Sequence, residues 1–315
     1  MWLKIPCWGT GRLVADWTIS KMTLETDIKR QVREFYDQVG WQEVGEGVYQ
    51  NARFEDLRPV SREYIHKCHL RVSHHLCEAG KFMLDAGSGP IQYPEYLDYS
   101  HGFQARVCVD ISAVALLEAR QRIGDFAEGG HGLFVVADIA NLPFKKNCFD
   151  SVVSLHTIHH LPAEEHQQAY FELHRVLDLD RTAVVVNGWD SAPLMDLFNL
   201  PIRWANRLRW YLGGSNNIDV DNEGPQKRSL DKKYHQPKGT YVTKNTPERL
   251  RSEIGTNIPM QILVWRSVSV RFLRALVHQR LGGRWLLRVL YWLEQRFPNY
   301  FGENGQYPLI VIFKS

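Results

Sequence analysis

The chain has 315 residues, 44% hydrophobic and 12% aromatic, which is enough for one large α/β domain with insertions and argues against long disordered tracts. The formal net charge is only +3, but residues 1–190 hold 19 basic against 26 acidic side chains, whereas residues 191–315 hold 19 against 9. We therefore expect a basic carboxyl-terminal surface on a mildly acidic body. Five cysteines without CxxC spacing disfavour a disulfide framework or a zinc ribbon, and fit a reducing, cytoplasmic compartment.

The amino-terminal part predicts a leader followed by two helices. Residues 1–26 form a loosely attached leader in which charged and glycine residues interrupt every apolar run, so we expect neither a signal peptide nor a membrane span. Apolar residues at helical spacing predict amphipathic helices over 27–42 and 61–78. We assign residues 27–80 to helices that cover the ligand-binding site.

Five apolar runs then alternate with helical segments. They predict strands over residues 81–87, 106–112, 132–139, 150–156 and 182–188. Apolar strands separated by helices indicate a parallel sheet with both faces covered. We assign residues 81–190 to this core.

The pattern loosens after the fifth strand. Residues 191–245 predict a basic, aromatic insertion or cap, with a helix over 192–213 and a polar loop over 214–240. Residues 246–315 complete the sheet with two more strands and a basic helical insertion. The elements predicted there are a helix over 246–255, a strand over 260–268, a helix over 270–297 and a strand over 307–314.

A glycine-rich turn follows the first of these strands. Gly87 and Gly89 let the backbone approach a ligand closely, and ligands of open α/β sheets bind beyond the carboxyl ends of the strands. Asp85 stands two residues before the first glycine, and Gln92 occupies the third glycine position of a dinucleotide fingerprint. Because a carboxylate repels a pyrophosphate and attracts an ammonium group, the turn favours a positively charged nucleoside over a dinucleotide.

Acids also end the next two strands. Asp110 lies about 20 residues beyond the glycines, where a carboxylate can accept both ribose hydroxyl hydrogens. Asp138 could accept from an adenine amino group while Ile139 packs on the ring. The structural alternative is that Asp110 caps the following helix, although Ser112 can do so instead. Any one acid alone has such an explanation, but acids at three consecutive strand ends favour a nucleoside site.

The segments LDAGSGP, VCVDIS, VADIANLPFKKNCFDSVVSLHTIHHLP and ELHRVL resemble class I S-adenosylmethionine (SAM)-dependent methyltransferases. The resemblance is to the methyltransferase type 11 branch, which includes ubiquinone and menaquinone biosynthesis enzymes, and covers about residues 80–190. It implies an α/β, Rossmann-like, seven-stranded and mostly parallel sheet with helices on both faces, SAM as cofactor, and methyl transfer. Ile91 stands where the family often has a third glycine, and residues 178–181 replace its usual Pro-Gly-Gly turn.

The resemblance also implies cofactor contacts. They are Asp85, Gly87 and Gly89 at the methionine end, Asp110 and Ile111 at the ribose and adenine, Asp138 and Ile139 at the adenine, and Leu155 near the sulfonium. Tyr36 resembles a tyrosine on a helix that closes over the cofactor in this family. An amphipathic helix that only packs on the domain explains Tyr36 equally well.

Histidines cluster after the fourth strand of the core. The ordinary pKa of histidine lies near neutrality, so we expect His156 to act as a general base on an acceptor hydroxyl, with Asp190 as second choice. His159 and His160 resemble a family signature that starts a helix, which favours an architectural role. No carboxylate lies in this run, so we expect no metal there. Histidines and cysteines of residues 66–77 scatter around a helix and do not predict a zinc site either.

The basic part after residue 190 interleaves arginines with tryptophans. We favour a substrate cap whose aromatic side chains are core and whose arginines are solvated, and keep helices on an anionic membrane surface as the alternative. Nucleic acid is disfavoured, since the net charge is low and residues 154–157 lack the Asn/Asp-Pro-Pro-aromatic run of base amino-group methylation.

The expected function is methyl transfer to an oxygen or carbon of a small-molecule or lipid acceptor. Two alternatives stay open. One is a transferase of another group, such as aminopropyl, and the other is a non-catalytic SAM-binding subunit that docks through its basic helices.

Overall fold

The computed structural model describes residues 27–41, 43–45, 48–49, 55–125, 129–211 and 240–315. The predicted leader and most of the predicted loop over 214–240 lie outside the described residues.

A seven-stranded sheet forms the centre of the molecule. Two short antiparallel strands, β1 (Glu43–Gly45) and β2 (Val48–Tyr49), precede it in a separate hairpin that we did not predict. The strands of the sheet are β3 (Gly80–Ala86), β4 (Phe103–Asp110), β5 (Gly132–Val136), β6 (Phe149–Leu155), β7 (Leu177–Val186), β8 (Met260–Arg266) and β9 (Tyr307–Lys314). Their spatial order is β5-β4-β3-β6-β7-β9-β8, and only β9 runs antiparallel to its neighbours. The predicted α/β fold class is confirmed.

Helices cover the sheet and form a further layer beside it. They are α1 (Asp27–Phe35), α2 (Arg62–Leu70), α3 (Glu95–Asp98), α4 (Ala113–Ile123), α5 (His166–Val176), α6 (Pro193–Tyr211), α7 (Pro247–Leu250), α8 (Val270–Leu276), α9 (Gly283–Arg296) and α10 (Pro298–Asn304). The single helix expected over 270–297 is wrong. It divides into α8 and α9, because Val277 and His278 are extended and end α8, and α9 begins only after Gly282, whose φ of 72° is left-handed.

Alternate strand residues supply a core on each face of the sheet. Leu84 of β3 packs in one apolar cluster with Leu173 of α5, and Met83 packs in the other with Leu116 of α4. Burying one such side chain contributes about 1.5–3 kcal/mol. Helices α2, α6, α8 and α9 share a third cluster. Because β3, β4, β5, β6 and β7 are parallel, the segments that follow them meet at one edge of the sheet.

The outer sides of α6 and α9 carry large exposed apolar residues. Trp204 on α6 is 70% exposed, and Trp285 and Trp292 on α9 are 71% and 61% exposed. The favoured cap interpretation placed the aromatic side chains of this region in the core. It is correct for Phe272 and Trp265, which are buried, and wrong for these three tryptophans. No helix within the described ranges has the length and apolar character needed to cross a membrane.

Candidate active site

The glycine turn lies at the edge of the sheet where β3 ends. Gly87 and Gly89 have φ values of 76° and 54°, which glycine adopts without strain. A Cβ atom on Gly87 would lie 2.1 Å from Cγ2 of Thr157, and one on Gly89 would lie 3.0 Å from Cζ2 of Trp41. The turn therefore needs glycine at both positions, because neighbouring segments approach it closely from two sides.

Asp110 connects the end of β4 to this turn. Its Oδ2 atom accepts a hydrogen bond of 2.9 Å from the backbone N–H of Gly89, and its Oδ1 atom accepts one of 2.9 Å from that of Ser112. Burial raises the pKa of Asp110 to about 6, despite these two hydrogen bonds. Ser112 itself caps α4 through its hydroxyl, which leaves Asp110 available at the strand end. Ile111, between them, is partly exposed at the same place.

Asp85 is buried and paired with a guanidinium. Arg106 on β4 forms an ion pair with Oδ2 of Asp85 and donates to it from Nε over 3.1 Å. Its Nη1 atom also donates to the carbonyl of Tyr96. We expected the negative charge of Asp85 to attract an ammonium group. That electrostatic reason does not hold as stated, since Arg106 already neutralises the carboxylate, and nothing in the sequence had marked Arg106 as its partner.

Asp138 is occupied by a lysine of the first helix. Lys29 donates to Oδ2 of Asp138 over 2.5 Å and also forms an ion pair with Glu165. The ammonium group of Lys29 therefore binds the carboxylate that we expected to accept a hydrogen bond from the amino group of adenine. Ile139 is only 3% exposed and packs in the core cluster with Leu84, so it does not present an open surface to a ring.

The segment 27–41 runs along the ends of the strands. Besides Lys29, it places Tyr36 with its hydroxyl 2.8 Å from Nε2 of His160, and Asp37 where it accepts a 2.5 Å hydrogen bond from Ser112. The ring of Tyr36 stacks on Trp41 at 4.9 Å, and its electrostatic environment includes Asp110. Tyr36 is therefore brought to the same edge as the glycine turn and Asp110.

His156 follows β6 in a conformation that is unusual for a side chain-bearing residue. Its φ is 56°, and its backbone N–H donates to Val186 over 2.7 Å, while Leu155 before it is partly exposed. Its ring lies 5.0 Å from Trp265 and 5.8 Å from Tyr307. Burial, and then the charge of Arg266, lower the pKa of His156 to about 3. The near-neutral pKa that we expected for His156 is wrong, because burial and the nearby cation both disfavour the imidazolium form.

The two following histidines are also kept neutral. Burial lowers the pKa of His160 to about 4 and that of His159 well below its ordinary value. Both rings are held by local hydrogen bonds, from Nδ1 of His160 to the carbonyl of Tyr241 at 2.8 Å and between Nδ1 of His159 and Asn187 at 3.2 Å. These contacts fit an architectural role. Asp190 is exposed, and its backbone N–H is bonded to Asn245, so it is not gathered into this buried group.

A buried polar cluster beside His156 was missed in the sequence. We call it the acceptor-side cluster, and it comprises Glu55, His69, His156, Trp265, Arg266 and Tyr307. Glu55 and Arg266 form a buried ion pair, and the guanidinium lies 4.6 Å from the ring of Tyr307. The signal that could have found it is an arginine within the apolar run of β8, since a charge in a buried strand requires a partner.

The comparisons with known proteins agree with this fold. Residues 84–183 match the family described as a methyltransferase domain. The fold resembles a geranyl diphosphate C-methyltransferase of Streptomyces coelicolor A3(2), solved with Mg2+, geranyl diphosphate and S-adenosyl-L-homocysteine, with a TM-score of 0.51, 14% identity, and coverage of 92% of this chain and 98% of that one. The fold also resembles a geranyl diphosphate methyltransferase solved with GPP and sinefungin. The TM-score is 0.52, the identity is 13%, and the match covers 92% of this chain and 100% of that one. No curated protein matches the sequence.

The domain match and the fold show that residues 84–183 form a methyltransferase domain with the fold of the class I SAM-dependent methyltransferases. Its cofactor is SAM, as expected, while the position of each predicted contact residue stays a prediction.

Proposed function

We propose that this protein transfers the methyl group of SAM to an oxygen or carbon of a small-molecule or lipid acceptor. The observation that supports this best is the position of His156, which joins the glycine-turn edge to the aromatic acceptor-side cluster. In this proposal SAM lies over Gly87, Gly89 and Asp110, and its methyl group points past Leu155 toward the ring of Trp265. Displacement at a sulfonium needs alignment of the acceptor and exclusion of water more than a protein nucleophile.

In the transfer, an electron pair of the acceptor forms the new bond to the methyl carbon. The electron pair of the broken carbon–sulfur bond stays on sulfur, which leaves a neutral thioether, and the acceptor releases its proton. With a pKa of about 3, His156 takes up a proton poorly. We therefore assign His156 the task of accepting a hydrogen bond and orienting the acceptor, with the proton passing to solvent. Asp190, the second predicted base, is exposed and does not lie in the buried group of histidines.

The test is incubation with SAM that carries tritium in its methyl group, together with lipid and aqueous fractions of an extract of the source organism. We expect one fraction to take up label. His156→Gln keeps a hydrogen-bonding side chain and should lower kcat moderately, while His156→Ala should lower it strongly. If Asp190→Asn abolishes transfer and His156→Ala does not, the assignment of the orienting residue is wrong.

Two further readouts separate the alternatives. Label carried in the methionine chain, but not in the methyl group, would appear in product if the protein moves the aminocarboxypropyl group of SAM, or an aminopropyl group when decarboxylated SAM is supplied. Binding of SAM in calorimetry, without label in any fraction, would favour a non-catalytic subunit. Either result contradicts the proposed methyl transfer.

Contact with an anionic membrane surface is our second proposal, and the exposed sides of α6 and α9 support it. Leu200, Trp204 and Leu208 follow one another at helical spacing on α6, opposite the buried Ile202. Helix α9 exposes Trp285. Exposed tryptophan and leucine beside arginine is the composition of helices that lie in a membrane interface.

Charge along these helices has one dominant sign. Arg203 and Arg207 on α6 and Arg284 on α9 are exposed, whereas the one acid of α9, Glu294, is fully buried. Each arginine near an anionic surface contributes about 1 kcal/mol to binding. A basic face with projecting tryptophans thus complements an anionic bilayer better than a neutral one.

Co-sedimentation with vesicles tests this contact. We expect binding to phosphatidylglycerol vesicles, weaker binding to phosphatidylcholine, and loss of binding in the double variant Trp204→Ser, Trp285→Ser. Leu179→Ser, a change of another exposed apolar residue, is the matched control. Equal binding of the double variant and the control would contradict a membrane-facing role of α6 and α9.

A further inference from the structure

Three buried nitrogen atoms of the acceptor-side cluster have no hydrogen-bond partner in the described structure. They are Nε1 of Trp265, Nε of Arg266 and Nε2 of His69, on side chains that are at most 2% exposed. More than 90% of buried polar groups in native proteins have a hydrogen-bond partner, and a buried group without one costs about 1–3 kcal/mol of stability. Three such atoms in one cluster indicate that something else supplies their acceptors.

The three groups are close enough to bind one small molecule. The rings of His69 and Trp265 stack with centroids 5.5 Å apart, and the guanidinium carbon of Arg266 lies 5.2 Å from the ring of Trp265. Trp265 in turn lies 5.0 Å from His156. The three nitrogen-bearing side chains and His156 therefore belong to one continuous cluster.

His69 lies between two carboxylates. Its Nδ1 atom is 3.4 Å from Glu95, and its Nε2 atom is 3.9 Å from Glu55. Although burial lowers it, the interactions with Glu55 and Glu95 outweigh burial and raise the pKa of His69. Facing a carboxylate on each side, the ring is favoured as an imidazolium with two N–H donors. All three nitrogen atoms are therefore hydrogen-bond donors that lack an acceptor among the described residues.

The charges of the side chains in this cluster also favour an anionic ligand. Glu55 and Glu95 offset Arg266 and the His69 imidazolium, so these four groups are together neutral. SAM adds a positive sulfonium next to His156, in a region that is buried. A buried positive charge is costly unless it is compensated, and an anionic acceptor supplies that compensation.

We propose that the acceptor carries an anionic oxygen group, a carboxylate or a phosphate, which Trp265, Arg266 and His69 hold beside His156. The inference rests on the proposed methyl transfer. The methyl group goes to a different oxygen or carbon of the acceptor, with the same movement of electrons as above, so that the product keeps its anionic group.

The experiment uses the complete protein, tritium-labelled SAM and the extract described above. Unreacted SAM, a cation, is removed on a cation exchanger, and the labelled product is applied to an anion exchanger at mildly alkaline pH. We expect the label to be retained. Loss of retention after phosphatase treatment identifies a terminal phosphate, and persistence identifies a carboxylate or a phosphodiester. Label that flows through the anion exchanger overturns the inference and leaves methyl transfer intact, whereas no labelled product at all means that the proposed function has failed.

A pair of tryptophan variants tests the site itself. Trp265→Phe removes an N–H that has no partner in addition to part of a buried ring, so we expect a smaller fall in Tm than in the control below and a KM for the purified acceptor raised about tenfold, the loss for one hydrogen bond to a charged group. Trp189→Phe is the control, since its buried Nε1 donates to Gly302 over 2.7 Å. It should lower Tm and leave KM unchanged. A Trp265→Phe protein with unchanged KM overturns the inference.

Discussion

Replacing Asp110 by asparagine should stabilise the protein and weaken the binding of SAM. In the ligand-free fold burial raises the pKa of Asp110 from its ordinary 3.8 to about 6, which corresponds to about 3 kcal/mol against the charged form. Asparagine removes that charge. Asparagine also places an NH2 group against one of the two backbone N–H donors, that of Gly89 or that of Ser112. The hydrogen bond lost there costs about 1–2 kcal/mol and offsets part of the gain. The net expectation is stabilisation by about 1 kcal/mol at neutral pH.

Binding of SAM should change in the opposite direction. If the two ribose hydroxyls donate to the carboxylate, their hydrogen bonds to a charged acceptor are worth about 1.5–3 kcal/mol each. Asparagine can replace only part of this, so Kd should rise by about 30- to 700-fold. Calorimetric titration with SAM and urea unfolding measure the two effects, and Asp180→Asn, a change of an exposed carboxylate, is the matched control.

The same carboxylate makes both properties depend on pH. Because the folded pKa lies above the unfolded one, its contribution to stability is fully present below pH about 4 and is lost as pH rises through about 6. Affinity for SAM follows the ionised form and should fall below pH about 6. Asp110→Asn should abolish this step in affinity. A variant that binds SAM as tightly as the native protein, at any pH, refutes the assignment of Asp110 to the ribose.

Three further changes test neighbouring contacts. Gly87→Ala should lower SAM affinity more than tenfold in calorimetry, because its Cβ atom would lie 2.1 Å from Thr157 at a φ of 76°; unchanged binding would contradict the tight turn. Arg106→Gln leaves Asp85 buried without its cation and should cost about 3–5 kcal/mol in urea unfolding, whereas a loss below about 1 kcal/mol would mean that the pair is not structural. Lys29→Met removes the ion pairs of its ammonium group with Asp138 and Glu165, and hydrogen exchange should become faster in α1 but not in β3 or β4; equal rates would show that Lys29 does not hold α1 in place.

Periodicity determined most of what the sequence could predict about the fold. All seven strands of the sheet occur where apolar runs were found, because a strand buried on both faces is made mostly of apolar residues. The helix over 270–297 failed for a local reason. Its apolar pattern continues through residues 277–282, where the extended Val277 and His278 and the left-handed Gly282 separate α8 from α9.

The candidate site was predictable where chemistry follows directly from position along the chain. The glycine turn and Asp110 meet because consecutive parallel strands end at the same edge. The neutralisation of Asp85 by Arg106 was not predictable, since it depends on two side chains of adjacent strands facing the same side. For the same reason the low pKa of His156 was missed, because it results from burial and from Arg266, which is far away in the sequence.

Long-range contacts also explain why the acceptor-side cluster was not found. It joins Glu55, ahead of α2, to His69 on that helix and to Trp265 and Arg266 on β8. The histidines near residue 69 drew attention as a zinc candidate, and no pattern connected them to an arginine of a distant strand.

A crystal structure of the protein with S-adenosylhomocysteine measures the central claim most directly. The account predicts the ribose hydroxyls within hydrogen-bond distance of Asp110, the amino-acid part over Gly87, and the sulfur facing His156. Lys29 would then have to share Asp138 with the adenine or release it. A nucleoside bound elsewhere, or a ribose that does not touch Asp110, would contradict the account.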